Sequence, residues 1–187
     1  MNLKKIFYLL IILVQTGCHT GKHIPDQALP STENNTFYAR YLFKDTTGIA
    51  YYECEDFVAT ALDNYSISKM DINTRNFLDC KKATTINPHD PSSIDTIYTY
   101  SSPNNKIQVY RVKNEDFVIT FDITDPRLSL NNKICTGMAR TEFAKKFHIT
   151  DSVANHVLIR NTEATIKFLF HFDNSILKRI SSYIYYD

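Results

Sequence analysis

The sequence contains no tryptophan and only four glycines among 187 residues. A Gly-rich loop of the kind that cradles nucleotide phosphates is therefore missing, and so is the G-x-S-x-G turn that carries a hydrolase nucleophile. No predicted helix carries two histidines four residues apart, which is the spacing of a zinc protease. Because these signatures are lacking, we expect a protein that is not an enzyme and that holds neither a cofactor nor a metal.

A large net charge is also lacking. The chain has 21 basic and 20 acidic residues, and without Lys4 and Lys5 the remainder has 19 basic and 20 acidic residues. Proteins that bind nucleic acid concentrate Lys and Arg in runs or patches that neutralise phosphates. The sequence contains no such run, so nucleic acid is not an expected partner.

The first eighteen residues have the order of an export signal. Lys4 and Lys5 precede the uncharged apolar run 6–14, and Gln15-Thr16-Gly17-Cys18 follows it. A positive start, a short apolar core and a small residue before the cleavage point are typical of such signals. The cysteine after Gly17 resembles a bacterial lipoprotein signal, which implies that Cys18 carries the lipid and becomes the first mature residue.

Three other interpretations of this segment stay open: an ordinary cleaved signal, an uncleaved membrane anchor and a buried helix. An anchor is disfavoured because the apolar run is less than half of the about 20 residues that a membrane-spanning helix needs. Gln15 departs from the lipoprotein pattern, which leads us to expect an aliphatic residue three positions before the cysteine. By analogy with such lipoproteins, the expected location is the bacterial cell envelope, at the outer membrane facing the periplasm.

The sequence pattern divides the chain into a signal peptide (1–17), a flexible tether (18–35) and an α+β domain (36–187). The tether contains Gly21, Pro25 and Pro30 and shows no apolar periodicity, as expected of a linker. Within the domain, the proline-containing stretch 84–93 is a candidate sub-boundary. It holds His89 and Asp90, for which a role in turns is favoured over a metal or acid–base site.

Three cysteines remain after Cys18, namely Cys54, Cys80 and Cys135. Disulfides persist in exported proteins, but an odd number of cysteines allows at most one internal bridge. We expect Cys54 and Cys80 to bridge two N-terminal helices while Cys135 stays reduced. No two of these cysteines have the close spacing of a zinc site.

Plentiful Tyr and Phe, 12 of each, favour strands over a helical bundle. Alternation of apolar and polar residues predicts strands at 37–43, 49–53, 94–100, 106–112, 117–123, 154–160, 165–172 and 176–185. Helical spacing predicts helices that start near residue 55, over 74–81 and over 140–147, the last with Ala139 at its cap position. The expected fold class is α+β, with antiparallel sheet and a few short helices on one face, and an arrangement as two tandem helix-plus-sheet units is left open.

A resemblance to a known family covers about a third of the chain. The stretch from Cys135-Thr136-Gly137-Met138 to Phe143 resembles the strand, Gly-Met, cap and helix opening of small envelope lipoproteins of the SmpA/OmlA type. Phe170 and Phe172, followed by Asn174, Leu177 and Ile180, are similar to the last hairpin of that module. The resemblance implies a fold shared in outline with secreted β-lactamase inhibitor proteins, and binding of protein partners without catalysis. Ala139 departs from the usual hydroxyl cap.

The expected function is therefore that of a lipid-anchored, non-catalytic module that binds or scaffolds an envelope protein. A carrier of a lipid or small molecule is the alternative, which an enclosed apolar cavity would favour, whereas a filled core would favour the binding module. In the predicted phasing, the strand face that is free to meet a partner carries Tyr38, Arg40, Tyr98, Tyr100, Tyr110, Lys167 and His171. His171 is expected to face away from the neighbouring phenylalanines.

Overall fold

The computed structural model describes residues 36–87, 89–131, 133–150 and 152–185. The predicted signal peptide, the lipidation residue Cys18 and the tether lie outside these ranges. From residue 35 onward the chain is one compact unit. Its strands form one large sheet and its few helices are short, which agrees with the predicted α+β class in its coarse form.

Eleven strands are present in the described residues, and the predicted strands correspond to most of them. Their bounds are β1 Arg40–Lys44, β2 Ile49–Glu53, β3 Asp79–Ile86, β4 Ile94–Ser102, β5 Asn105–Val112, β6 Glu115–Ile123, β7 Ser129–Leu130, β8 Ile134–Cys135, β9 His156–Arg160, β10 Ile166–Asp173 and β11 Ile176–Ile184. Nine of them form the main sheet in the order β1-β2-β9-β10-β11-β6-β5-β4-β3, and β7 pairs with β8.

Three α-helices lie in the described part of the chain, and each is six or seven residues long. They are α1 Glu55–Thr60, α2 Ile72–Phe77 and α3 Arg140–Lys146, and a 3-10 turn at Asp63–Tyr65 follows α1. None of these described helices has the length and apolar character needed to cross a membrane.

The main sheet combines two meanders that each follow a helix. Strands β3 to β6 follow α2, strands β9 to β11 follow α3, and antiparallel pairing of β6 with β11 joins the two meanders edge to edge. The β1–β2 hairpin is added through parallel pairing of β2 with β9. The sheet is therefore mixed, and the prediction of a purely antiparallel sheet was wrong at this pair. Local alternation cannot reveal pairing between strands about a hundred residues apart.

The stretch 84–93, which was the candidate sub-boundary, connects two paired strands. Ile86 of β3 is the register partner of Ile94 of β4, so the loop between them is the connection of one hairpin. Asn87 closes this loop, because its side-chain oxygen accepts the N–H groups of His89 (2.8 Å) and Asp90 (3.0 Å).

The core lies between one face of the sheet and the helices. Every second residue of β10, namely Phe168, Phe170 and Phe172, is buried, and Phe143 of α3 lies 4.8 Å from Phe170 between ring centroids. Edge-to-face and tilted ring pairs of this kind add to the free energy gained by burying the apolar surface. These rings belong to a phenylalanine-rich core.

The start of α3 has the geometry that its sequence predicts. Gly137 has φ +90°, a backbone conformation that side chains with a Cβ rarely adopt, and its N–H donates to Leu177 O at 2.7 Å. Ala139 is the N-cap residue and makes no side-chain cap hydrogen bond. The predicted cap position of Ala139 is confirmed, and Glu142 is the third residue of the helix.

The chain enters the domain at Phe37, ahead of β1. Phe37 N–H donates to Lys146 O (2.6 Å), and Ala39 N–H donates to Phe147 O (3.2 Å). The buried Phe37 ring lies 5.4 Å from the Phe57 ring and 5.6 Å from the Phe147 ring between centroids. Two hydrogen bonds and an aromatic cluster thus fix the segment to the helix layer.

Candidate binding face on the sheet

The second face of the main sheet is covered by no described element, and it is the candidate site. On β9 the buried residues Val157 and Ile159 point to the helices, so the intervening positions point to the other side, since side chains alternate along a strand. We call this side the open face. Register places three rows of side chains across it, running from β2 to β11.

The middle row is apolar at its centre. Leu158 of β9 and Leu169 of β10 are register partners, and Tyr51 of β2 lies next to Leu158. Leu158 is only 8% exposed although it does not belong to the core cluster under the helices. Surrounding side chains on the open face therefore cover it, and the row forms a shallow apolar strip.

One flanking row contains a pair of histidines. His156 of β9 and His171 of β10 are register partners, and His156 Nε2 lies 2.7 Å from His171 Nδ1. One ring nitrogen donates this hydrogen bond and the other accepts it, and the tautomers of the two rings decide which one donates. Together with Asp122, Leu169, Arg179 and other residues, the histidines line a surface pocket of about 470 Å³.

An ion pair closes the same end of the open face. Asp122 accepts from Arg179 Nε (2.7 Å) and Nη2 (2.5 Å), and also from Ser181 Oγ (3.0 Å). The bidentate hydrogen bond from Arg179 lowers the pKa of Asp122, although partial burial opposes the shift. Asp122 therefore stays ionised and neutralises Arg179.

The other flanking row carries several cations. It runs from Arg40 and Glu53 through Arg160 to Lys167 and ends at Tyr183 of β11. Glu53 accepts from Arg40 Nη2 at 2.6 Å. The Nε atom of Arg160 is buried and has no hydrogen-bond partner.

An apolar cleft of about 770 Å³ lies where β6 and β11 part. These strands pair only at Ile180 with Ile123 and at Ser181 with Asp122, and a bulge between β5 and β6 lies next to this point. A bulge increases the local twist of a strand, which accounts for the divergence. The residues that line the cleft are mostly aliphatic or aromatic and include Ile97, Tyr110, Val112, Phe117, Ile119, Ile184 and Tyr185.

The cleft also has a polar contact at its wall. The Tyr110 hydroxyl donates to the buried Asp95, and this hydrogen bond raises the pKa of Tyr110. Asp95 is thus the hydrogen-bond acceptor of Tyr110, while Asp90 accepts hydrogen bonds from the hydroxyls of Ser92 and Ser93 in the loop before β4. These aspartates have turn and side-chain partners, and among the described residues no three metal-ligating side chains come together.

The predicted interface residues are divided between the two faces. Tyr110, Lys167 and His171 lie on the open face as predicted, and Arg40 lies at its edge. Tyr98 and Tyr100 were placed on the wrong face, because their register partners Val109 and Ile107 are buried in the core. Tyr38 precedes β1 and stacks on His148, with ring centroids 4.2 Å apart.

Sequence reasoning missed His156, Arg160, Asp122 and Arg179 as members of the site. For His156 and Arg160 the sequence did contain a signal. Val157 and Ile159 mark the buried side of β9, and the alternation along the strand places His156 and Arg160 on the other side. Their assembly with β10 and β11 depends on register between strands, which the sequence does not display.

The predicted Cys54–Cys80 disulfide is absent, because Cys54, Cys80 and Cys135 are all free. Cys54 is buried at the N-cap of α1, whereas Cys80 is exposed on β3, at the far edge of the sheet from β2. The prediction placed Cys80 in a helix, and the structure places it in a strand. Burial raises the pKa of Cys54 and of Cys135, which disfavours either as a thiolate nucleophile.

No family model, curated protein or solved structure matches the chain. The features that bear on function are therefore the geometry of the open face and the sequence pattern of the first eighteen residues.

Proposed function

We propose that the protein is a lipid-anchored lipoprotein of the bacterial envelope that binds another envelope protein through the open face and performs no catalysis. The observation that carries this proposal is the strip of Tyr51, Leu158 and Leu169, which lies between charged rows on a face that no described element covers. An apolar centre with a polar and charged rim is the usual anatomy of a protein interface. Two helix-then-meander segments joined edge to edge give this face its width.

A cross-linking experiment in intact cells tests the binding function. Wild-type protein is expected to give discrete protein adducts that mass spectrometry identifies. A charge placed on the apolar strip by Leu169→Arg should abolish the adducts because it prevents close packing there. Ala59→Arg, at an exposed position of α1, is the matched control and should leave them unchanged. Equal adduct yields from all three proteins would contradict the proposal.

The proposed anchor is supported by the order of residues in 1–18 and is tested separately. Wild-type protein should partition into membranes, with a lipid mass on a mature chain that begins at Cys18. Cys18→Ala should remove both properties. An unmodified mature chain that begins elsewhere would overturn the lipid anchor without affecting the proposed binding face.

The cleft between β6 and β11 supports a second candidate function, that of a carrier for an apolar small molecule or lipid. Its volume of about 770 Å³ lies within the range of ligand pockets. Native mass spectrometry of the purified protein tests this function directly. A retained ligand, combined with no protein adduct in cells, would favour the carrier function over the binding function.

A further inference from the structure

Five basic side chains lie on β9, β10 and β11 of the open face, on either side of the apolar strip. We define the β9–β11 patch as the side chains of Arg160, Lys167, Arg179, His156 and His171. The whole chain has a formal net charge of only +1, so this concentration is local. Asp122 neutralises Arg179, so the unbalanced positive charge of the patch lies at Arg160 and Lys167.

Arg160 and Lys167 form the part of the patch that lacks a counter-ion. Neither side chain makes an ion pair with a described residue. Glu53 is the register partner of Arg160 on β2, but its carboxylate is held by Arg40 at 2.6 Å. The row of Arg40, Glu53, Arg160 and Lys167 therefore carries two positive charges more than its single carboxylate can balance.

The arrangement of the two cations is unfavourable in the isolated domain. Arg160 and Lys167 are direct register partners on antiparallel strands, and like charges at opposed positions destabilise a sheet. The Nε–H of Arg160 is also buried without an acceptor, which leaves its desolvation uncompensated. A carboxylate placed between the two side chains would relieve both costs.

We infer that Arg160 and Lys167 bind carboxylates of an acidic segment of the partner protein, while an apolar side chain of that segment packs against Tyr51 and Leu169, the partly exposed members of the strip. This inference rests on the proposed function, because it names the chemistry of the partner that the open face receives. His156 and His171 lie on the other side of the apolar strip and bound the segment there. The partner segment therefore combines Asp or Glu residues with at least one apolar residue.

The geometry favours a protein carboxylate over the phosphates of a membrane surface. The Nε of Arg160 is buried and has no acceptor among the described residues. A carboxylate and a phosphate can each accept two hydrogen bonds from the fork of a guanidinium, so the apolar surface beside Arg160 decides between them. The adjoining apolar strip requires a complementary apolar contact, which a layer of charged head groups does not offer.

Site-directed photo-cross-linking in cells that make the full-length protein tests the inference. A benzophenone amino acid replaces Leu169 at the centre of the strip, and a second chain carries it at Ala59 as the control. We expect Leu169 to give a protein adduct whose cross-linked peptide is rich in Asp and Glu. Adding Arg160→Glu and Lys167→Glu should lower the adduct yield about tenfold or more, the usual scale for loss of one or two charge-assisted contacts.

Two further variants separate charge from folding. Lys145→Glu with Lys146→Glu reverses two charges on α3, away from the open face, and should leave the yield unchanged. Arg160→Lys retains the charge but not the guanidinium fork, and should give an intermediate yield. Circular dichroism of each purified variant checks that the domain is folded.

The outcomes distinguish this inference from the proposed function. A protein adduct that persists after charge reversal, or whose peptide lacks acidic residues, would overturn the inference and leave the binding function intact. An adduct with lipid alone would overturn the inference in favour of a membrane contact. No protein adduct from any position on the open face would overturn both.

Discussion

At the scale of single residues, Asp116 is a buried carboxylate that accepts three hydrogen bonds. Its side chain is 5% exposed and accepts from Arg111 Nε (2.6 Å), Arg111 Nη2 (2.8 Å) and Ile67 N–H (2.8 Å). Burial alone would raise the pKa of Asp116, but these hydrogen bonds outweigh burial and lower it. Asp116 thus fixes the segment after the 3-10 turn to the β5–β6 hairpin.

Asp116→Asn should lower the free energy of unfolding by about 2–4 kcal/mol, because it leaves the Arg111 guanidinium without its counter-ion. Asp125→Asn is the matched control. Its partner Arg127 is 65% exposed, so the loss there should stay below about 1 kcal/mol. Urea denaturation measures both changes. Equal losses in the two variants would show that burial of the Asp116 pair contributes nothing.

Acid should weaken the fold through the same carboxylates. The hydrogen bonds from Arg179 and Arg127 lower the pKa of Asp122 and of Asp125, the latter to about 2, and the pKa of Asp116 is also lowered. Aspartates in the unfolded chain have a pKa of about 3.9. The stabilisation is therefore present above about pH 4 and is lost as the pH falls toward 2. Urea unfolding between pH 2 and pH 6 should show this decrease. Asp116→Asn should show a smaller one, and identical slopes would contradict the assignment.

The three cysteines should differ in reactivity. Among them only Cys80 is exposed, while Cys54 is buried and Cys135 is partly buried. In a chain with Cys18→Ser, one thiol per molecule should react rapidly with a thiol reagent under native conditions. Three thiols per molecule should react after denaturation without reductant. Cys80→Ser should remove the rapid phase. A single thiol in the denatured chain would show that two of the three cysteines form a disulfide and would contradict three free cysteines.

At the scale of elements, prediction from sequence succeeded where one face of an element is buried. The alternation in β6 and β10 and the apolar stripe of α3 located these elements to within two residues. An element with one buried face has apolar residues at the period of that element, and this period is visible in the sequence. β3 was missed, and all eight of its residues are exposed. An edge strand of this kind contains no alternation, so Lys81 appeared to continue the preceding helix. The register that assembles the open face was likewise absent from any local pattern.

Ala139→Ser should stabilise the domain by about 0.5–1 kcal/mol. Ala139 has extended backbone angles, φ −69° and ψ 143°, at the N-cap of α3, so a serine hydroxyl there can accept a free amide of the first turn. Ala59→Ser is the matched control. Ala59 lies inside α1, where serine is a poorer helix former than alanine, and the same chemical change should be slightly destabilising. Thermal unfolding measures both variants, and a shift of the same sign in each would contradict the capping argument.

At the scale of the whole molecule, the sheet has a protected centre and two unequal edges. β10 lies between β9 and β11 and beneath the helices, whereas β3 pairs only with β4. Amide exchange follows local opening. Backbone amides of β3 should therefore exchange far faster than those of β10, which should approach the rate of global unfolding. Hydrogen–deuterium exchange with mass spectrometry tests this order, and comparable rates in both strands would contradict it.

Phe37 has a mechanical consequence for a chain that is held by its N-terminal side. β1 is an outermost strand whose only strand partner is β2, so a pull along the chain would peel its hydrogen bonds one after another at low force. The backbone hydrogen bonds to Lys146 of α3 and to Phe147 just after it, together with the buried ring of Phe37, precede β1 in the path of the load. A pull from the N-terminal side therefore loads these contacts with the aromatic core before it loads β1.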